Sequence, residues 1–302
     1  MLSLIVGKFS FVQLNPYNQL IMKKITTIIL LLCVSFSFSQ SPWTQKKGTF
    51  YTQLSFSTIP AYNTIYANPD RQIAGKITDQ TMQFYTAYGI SEKTTLTINI
   101  PYKSISHNGL SRNCLVAPCP GYSNKKSTFG NIEIGVKHLF SSKKWLITGQ
   151  LNVEVNSNSF EASSGIRTGY EAWSFTPLLI VGKGAEKKYM QFFSGFTYRT
   201  NDYSSNFKIG GEFGYKVGKR LWLSTFIDIV KSLNNGDFNT LLSAYDVNTA
   251  LYIDNQEYGG FGFKASQGFS NNFGLNLGVG GAFFANNVPK QIALTIGLYH
   301  KF

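Results

Sequence analysis

The chain has 302 residues, of which 14% are charged, 15% are aromatic and 43% are hydrophobic, and its formal net charge is +13. Low charge combined with many aromatic side chains excludes a disordered chain, because disorder requires high charge and few aromatic residues. Only one apolar run is long enough to consider as a membrane helix, which excludes a bundle of transmembrane helices.

The N-terminal region has the pattern of a secretory signal peptide. Basic residues in Met22–Lys24 precede the apolar run Ile25–Phe38, which ends at small residues. The pattern predicts cleavage after Ser39, which leaves Gln40 at the new N-terminus. A buried core helix is the alternative interpretation of the same run.

Residues 1–21 place a second mixed segment ahead of a complete signal peptide. We interpret them as an extension from a mis-assigned start codon, with Met22 as the true start. The predicted organisation is therefore an extension over 1–21, a signal peptide over 22–39 and a single domain over 40–302.

The basic residues do not point to nucleic acid. Loss of residues 1–39 removes Lys8, Lys23 and Lys24 and no acidic residue, so the net charge falls by three, from +13 to +10. The remaining basic residues are scattered over turns and strand ends, whereas nucleic-acid binding needs them on one helix or aromatic platform.

Alternation of apolar and other residues continues through the rest of the chain and predicts strands. Each segment has about ten residues or slightly more, which is enough to cross a bilayer when tilted. The twelve predicted strands lie near 48–59, 80–90, 94–104, 128–140, 144–155, 171–183, 188–200, 205–217, 220–231, 257–269, 272–284 and 290–302.

The connections alternate in length, which is a second sign of a transmembrane barrel. Short turns separate every other pair of strands, and the longer connections lie at 60–79, 105–127, 156–170 and 232–256. Outer-membrane barrels have short periplasmic turns and longer external loops. An even number of strands places both ends of the barrel in the periplasm.

The two faces of the strands differ in character. We predict a lipid-facing row that includes Leu54, Phe56, Leu96, Ile98, Ile100, Ile132, Ile134, Val136, Phe207, Ile209, Phe213, Leu275, Leu277 and Val279. Aromatic residues near strand ends are expected to form an interfacial girdle: Trp145, Trp173, Trp222, Tyr88, Tyr102, Tyr198 and Tyr215. A soluble β-sandwich is the alternative fold with the same alternation.

The last strand carries the strongest single pattern. In KQIALTIGLYHKF every second residue from Ile292 to Phe302 is bulky. A final aromatic residue after alternating apolar residues resembles the C-terminal signal of bacterial outer-membrane barrels. The resemblance implies that Phe302 is an assembly signal for the barrel-assembly machinery, and that the strand closes the barrel against the first one.

The other face is polar and faces the predicted lumen. Candidate lumen-lining residues are Asn99, Glu133, Lys137, Gln150, Asn152, Glu154, Arg199, Lys208, Glu212, Lys216 and Asp228. Eight strands leave room only for side chains and sixteen leave an aqueous channel, so twelve predict a narrow or plugged pore. Whether these residues line a pore or pair with one another as filling remains open; Lys and Arg among them favour anions or polar solutes.

Two cysteines, Cys114 and Cys119, lie in the connection 105–127. Export and an even cysteine count predict a disulfide that stiffens an external loop. A metal site is disfavoured there because His107, predicted to lie in a loop, is the only other ligand nearby and such a site needs about four.

The sequence does not indicate an enzyme, and we predict no cofactor. A lipid hydrolase would need a serine beside a histidine, but Ser141 and Ser142 follow His138 in a turn and His300 has no serine near it. Asp254 and Glu257 lie with Asp246 in one loop and are interpreted as solvated charges.

Two segments resemble a known family. They are YGISEKTTLTINIPY (Tyr88–Tyr102) and FGNIEIGVKHLF (Phe129–Phe140), in which Asn131 stands where aspartate is commoner. Both are similar to outer-membrane transporters grouped under the phenol-degradation meta-pathway. The resemblance implies a barrel that passes small hydrophobic or aromatic compounds, but the motifs are a turn and a strand and carry no substrate.

The sequence therefore predicts an all-β protein, a transmembrane antiparallel up-and-down barrel of about twelve strands in the outer membrane. The predicted function is a narrow channel for small solutes, with outer-membrane lipids, the assembly machinery and a small-molecule solute as partners. The alternative is a non-transporting surface or structural protein whose loops bind partners.

Overall fold

The computed structural model describes residues 40–108, 125–157, 160–161, 165–237, 249 and 251–302. The predicted extension, the signal peptide, the Cys114–Cys119 pair and Asp246 lie outside the described residues. No helix among the described residues is long and apolar enough to cross a membrane.

Twelve long strands form the wall of the molecule. In chain order they are β1 Phe50–Tyr66, β2 Arg71–Ser91, β3 Thr94–His107, β4 Glu133–Ser141, β5 Leu146–Glu154, β6 Ser174–Gly184, β7 Lys188–Arg199, β8 Asn206–Lys216, β9 Leu221–Ser232, β10 Glu257–Gly268, β11 Phe273–Asn286 and β12 Ala293–Lys301.

Each strand pairs antiparallel with its neighbours in the chain, and β1 pairs with both β2 and β12. The segment Lys125–Phe129 extends the pairing of β4 with β3, and Val288–Pro289 pairs with the far end of β1. Phe160–Glu161 and Ile166–Arg167 form a separate two-stranded ladder. The wall is therefore a closed up-and-down barrel, and the fold class and strand number predicted from the sequence are confirmed.

The outer surface carries a broad apolar belt. In β6, Ser174, Thr176 and Ile180 are buried while Phe175 and Leu179 are exposed, and the other strands alternate in the same way. The belt includes Leu54, Phe56, Met82, Phe84, Ile134, Val136, Leu151, Phe192, Ile209, Phe213, Ile227, Phe263, Leu277, Leu294, Ile296 and Leu298. Such a surface on a closed barrel requires lipid around it, so the chain is an outer-membrane barrel.

The short turns all lie at one edge of the barrel together with both ends of the described chain, and we call this edge the periplasmic rim. It comprises the turns after β2, β4, β6, β8 and β10. The opposite edge, the external rim, carries the other connections, of which those after β3, β5 and β9 are the longest. There Lys290 donates a hydrogen bond to the carboxylate of Asp70, which lowers the pKa of Asp70 and links the loops after β1 and β11.

The first hairpin differs from the prediction. The connection expected over 60–79 is only 67–70, because β1 continues to Tyr66 and β2 begins at Arg71. The pairing of β1 with β2 shifts register between Ile59 and Thr64, so the strict period of two is lost there although the strand continues. His107 likewise ends β3 and is buried, not in a loop.

The outward position of the belt predicts the effect of a charge within it. Ile296→Arg should lower the free energy of unfolding by about 2–4 kcal/mol, since an outward arginine near the middle of the strand must enter hydrocarbon. Urea unfolding of protein folded into vesicles measures this change.

The adjacent inward position is the control. Thr295→Arg places the same charge in the lumen, where only the hydrogen bond to Ser57 is lost, and should cost about 1 kcal/mol. Equal losses at the two positions would contradict the assignment of faces.

Candidate functional site

The lumen is the candidate site, because the strand period brings polar side chains from many strands to face one another. All eleven predicted lining residues lie at inward-facing positions. Asn99, Glu133, Glu154, Arg199 and Lys208 surround an outer cavity, Glu212 and Asp228 line an inner one, and Lys137, Gln150, Asn152 and Lys216 lie on the wall outside both linings.

The inner cavity lies towards the periplasmic rim and has a volume of about 460 Å³. Five aromatic side chains are among its lining residues: Trp43, Tyr189, Phe193, Trp222 and Phe226. Trp222 was expected in the interfacial girdle, and that expectation is wrong. Trp222 lines the inner cavity and pairs in register with the inward-facing Lys216, so its indole lies on the inner side of β9.

Charged groups are built into this aromatic wall. Lys264 Nζ lies 2.7 Å from the carboxylate of Glu212, and Tyr189 donates its hydroxyl hydrogen to the same carboxylate. The ammonium of Lys264 also lies 4.9 Å from the centre of the Phe226 ring. The pair is therefore fixed at one side of the cavity by contacts with Tyr189 and Phe226.

Asp228 occupies a recess between two glycines. Its register partners on β8 and β10 are Gly210 and Gly260, which have no side chains to cover it. One carboxylate oxygen, Oδ1, is buried and has no hydrogen-bond partner in the described part of the chain. A buried acceptor without a partner is costly, so the recess favours a bound donor or water.

The segment ahead of β1, where the sequence predicts no strand, folds into the periplasmic end of the lumen. The buried hydroxyl of Thr148 donates to the carbonyl oxygen of Pro42 at 2.7 Å, and the amide of Gln45 donates to Thr95 Oγ1 at 2.8 Å. Trp43 packs edge-on against Tyr189, with ring centres 5.7 Å apart. We call residues 40–47 the N-terminal plug.

Small residues in the wall make room for the plug. The Pro42 ring lies against Gly182 on β6, where a side chain would occupy the same space. Because the plug sits against β3, β5 and β6, it narrows that side of the lumen and leaves the inner cavity on the other side. The one sequence sign of this arrangement was a proline and a tryptophan in a segment that is not a strand.

The outer cavity, of about 310 Å³, lies closer to the external rim and is polar. Glu133 and Glu154 are register partners on β4 and β5, so two acidic side chains lie side by side. Arg199 and Lys208 line the same cavity. Among the described residues none of these four forms an ion pair, although Arg199 donates a hydrogen bond to the carbonyl oxygen of Ser204 at 3.3 Å.

An apolar cluster lies between the outer cavity and the external rim. Tyr62, Ile77 and Ile105 from the long strands β1, β2 and β3 pack against Ile166 and Leu251 from the connections after β5 and β9. The hydroxyl of Tyr62 donates to the carbonyl oxygen of Thr249 at 2.5 Å. The extra length of β1–β3 therefore supplies the wall on which two external connections fold inward. We call these contacts the external cap.

Tyr170 joins the external cap to the neighbouring segments. Its ring contacts Tyr203 and Tyr252 edge-on, with centroid distances of 5.4 and 5.3 Å, and the guanidinium of Arg199 stacks on it at 4.0 Å. Its hydroxyl donates to Gln256 Oε1 at 2.8 Å. The connections after β5, β7 and β9 and the end of β7 are thus joined through one side chain.

Acidic residues expected to be solvated also belong to the cap. Asp254 is buried and accepts hydrogen bonds from the amide and hydroxyl of Ser204, at 2.7 and 3.0 Å. Glu257 begins β10 and lies 2.5 Å from Lys231 Nζ. The interpretation of Asp254 as solvated is wrong, because the connection after β9 folds into the barrel mouth. Glu257 lies on a strand and not in the loop, and it is paired with Lys231.

A buried ion pair supports the cap from below. Lys103 Nζ lies 2.9 Å from the carboxylate of Asp79, and both side chains are almost fully buried. Lys103 also donates to Thr81 Oγ1 at 2.9 Å and lies 5.3 Å from the centre of the Tyr252 ring. Because both groups are removed from water, loss of either one would leave the other charge buried without a counter-charge.

The histidines are not arranged for catalysis in the described structure. His138 faces outward, where Nδ1 lies 3.0 Å from Thr94 Oγ1 and the ring packs on Phe140. His300 faces outward beside Phe302, with ring centres 4.2 Å apart. The described residues contain no group of three His, Cys, Asp or Glu side chains that could hold a metal ion.

The fold is similar to solved outer-membrane barrels. An outer-membrane channel from Pseudomonas putida F1 aligns with 89% of this chain and 100% of its own length, at a TM-score of 0.63 and 13% identity. The NanC porin aligns with 84% of this chain and 100% of its own, at a TM-score of 0.50 and 6% identity. These identities establish a shared fold only. No family model and no curated protein matches the sequence.

The buried ion pair predicts an asymmetric response to substitution. Asp79→Asn should lower the free energy of unfolding by about 3–5 kcal/mol, because it leaves the charge of Lys103 buried without a counter-charge. Thermal unfolding in detergent, monitored by circular dichroism, measures the change.

The matched control removes both charges. Asp79→Asn with Lys103→Met should be markedly more stable than Asp79→Asn alone, since no uncompensated charge remains. If the double variant were no more stable than Asp79→Asn alone, the uncompensated charge of Lys103 would not be the cause of the loss.

Proposed function

We propose that this barrel is a channel for small solutes across the outer membrane. The observation that carries the proposal is that the lumen is not filled: two cavities, of about 460 and 310 Å³, lie one above the other along the barrel axis. A barrel of twelve strands has more interior space than side chains need, but less than an open porin. The fold shared with an outer-membrane channel from Pseudomonas putida F1 is consistent with this role.

The path is narrowed at both ends. The external cap covers the outer cavity, and the N-terminal plug covers part of the inner one. A solute that passes the barrel must displace cap contacts such as that between Tyr170 and Gln256, and then move past Trp43. We infer a gated or slow channel and not an open pore.

The solute class follows from the inner cavity. Five aromatic side chains surround it, a lining that suits flat or apolar solutes. Two segments of the chain also resemble transporters of the phenol-degradation meta-pathway, so we propose small hydrophobic or aromatic solutes. The inward-facing charges nearly balance, with six basic and five acidic side chains, and so give little selection for anions.

A non-transporting surface protein is the second candidate, and one observation favours it. The external cap is a packed apolar cluster with buried hydrogen bonds, as expected for a permanently closed mouth. In that case the external connections would bind partners and the lumen would stay closed.

Conductance in planar bilayers separates the two candidates. The parent barrel should give small or infrequent openings, and deletion of residues 40–45 should raise the conductance several-fold because the Pro42 and Gln45 anchors and Trp43 leave the lumen. Tyr170→Ala should raise the opening frequency by loosening the cap.

The control substitution is Tyr198→Ala, which removes an exposed outward tyrosine from the same strand that carries Arg199. It should leave the conductance unchanged. Silence of the parent and of both opened variants, with no solute flux into vesicles, would rule out the channel and support the second candidate.

We also propose that Phe302 is an assembly signal. Its backbone exchanges hydrogen bonds with Phe50, at 2.9 and 3.4 Å, while its ring is exposed on the outer face next to His300. The ring is therefore free for recognition while the backbone completes the seam between β1 and β12.

Phe302→Ala keeps the backbone pairing and removes only the ring. It should lower the fraction of heat-modifiable barrel in the outer membrane several-fold, with little change in the stability of protein folded in detergent. Phe269→Ala, another exposed phenylalanine at the periplasmic rim, is the control. Equal assembly of both variants would contradict a special role for the last residue.

A further inference from the structure

The positive charge of the chain is concentrated at the periplasmic rim. Eleven exposed basic side chains lie there: Lys46, Lys47, Lys93, Lys143, Lys144, Lys183, Lys187, Lys188, Lys219, Arg220 and Lys301. Only two acidic side chains, Glu92 and Glu186, accompany them, which gives the rim a net charge of +9. Among the described residues the external rim is balanced, with seven basic and seven acidic side chains.

The rim charges are not neutralised within the protein. In the described part of the chain no basic side chain of the rim forms an ion pair, whereas the external rim contains three. Arg220 donates to the carbonyl oxygen of Phe269 and to Asn271, both of which are uncharged. So many like charges in one ring repel one another unless an anionic surface lies against them.

The position of the charges points to lipid. They occur in four of the five short turns, so eight of them surround the barrel, while Lys46 and Lys47 end the N-terminal plug and Lys301 faces inward beside Tyr299. They lie directly beneath the apolar belt, beside exposed aromatic residues such as Phe140, Phe269 and Phe302. Basic residues next to interfacial aromatic residues reach the depth of lipid phosphates.

One pair on the rim has a defined geometry. Lys183 on β6 pairs in register with Met190, and Lys188 lies two residues from Met190 on the same outward face of β7. Diagonal positions of this kind are about 7–8 Å apart, so two ammonium groups can approach one phosphate. Lys183 Nζ also lies 5.8 Å from the centre of the Trp145 ring, which directs it along the barrel surface.

We propose that the periplasmic rim binds the headgroups of anionic phospholipids in the inner leaflet of the outer membrane, with Lys183 and Lys188 beneath Trp145 as one phosphate subsite. The interaction holds the barrel at a fixed depth, with the belt in hydrocarbon and the short turns at the leaflet surface. It is independent of whether the lumen conducts solutes.

Native mass spectrometry of the folded barrel in mixed micelles tests the proposal, with phosphatidylglycerol and phosphatidylethanolamine in equal amounts as probes. The parent should retain more phosphatidylglycerol. Lys183→Gln with Lys188→Gln should reduce the preference about fivefold for each lysine at low ionic strength, and added salt should reduce it in the parent.

The matched control is Arg71→Gln with Lys76→Gln, which removes the same charge from exposed positions at the external rim. It should leave the preference unchanged, and heat-modifiable mobility checks that every variant is folded. Equal binding of both lipids by the parent, a preference insensitive to salt, or equal losses in the two double variants would overturn the proposal. A soluble acidic partner would then be the better explanation of the rim.

Discussion

Closure of the sheet through β1 and β12 is the constraint on which the rest of the molecule depends. Hydrocarbon offers no hydrogen bonds, so an open sheet edge in a membrane would leave a row of amides and carbonyls unsatisfied. The pairing of β1 with β12 removes that edge and ends with Phe302 against Phe50. Once the ring is closed, the strand period sends one set of side chains to lipid and the other to the lumen.

Closure at twelve strands also sets the width of the lumen. The interior is wider than its side chains can fill, and the chain narrows it from both ends with segments that are not strands. The N-terminal plug is held by hydrogen bonds with Thr148, which donates, and Thr95, which accepts. The external cap is held by an apolar cluster and the buried pair of Lys103 and Asp79. The space between the plug and the cap is divided into an aromatic inner cavity and a charged outer one. The two cavities and the segments that narrow the lumen therefore arise from the same excess of interior volume.

The topology of the barrel determines which charged residues lie at the same rim. The basic residues of the turns occur singly or in pairs that are far apart in the chain, so the sequence contains no single basic segment. Because the chain reverses direction at every strand, alternate turns meet at the same edge, and lysines as distant as Lys93 and Lys219 come to lie on one ring. The lumen, in contrast, receives nearly equal numbers of both signs. The net charge of the barrel is thus a property of its periplasmic rim and not of its interior.

The sequence by itself determined the fold class, the number of strands and the two faces of most strands, because these depend on a local period of two that each strand carries alone. It also identified polar residues that the barrel turns inward, such as Glu133 and Lys208. Only the tertiary structure decided the long first hairpin, where a register shift hides the period, and the inward position of Trp222. It alone placed Trp43 and Asp254 inside the barrel and gathered the basic turns on one rim. These features depend on contacts between segments far apart in the chain, and no local pattern records them.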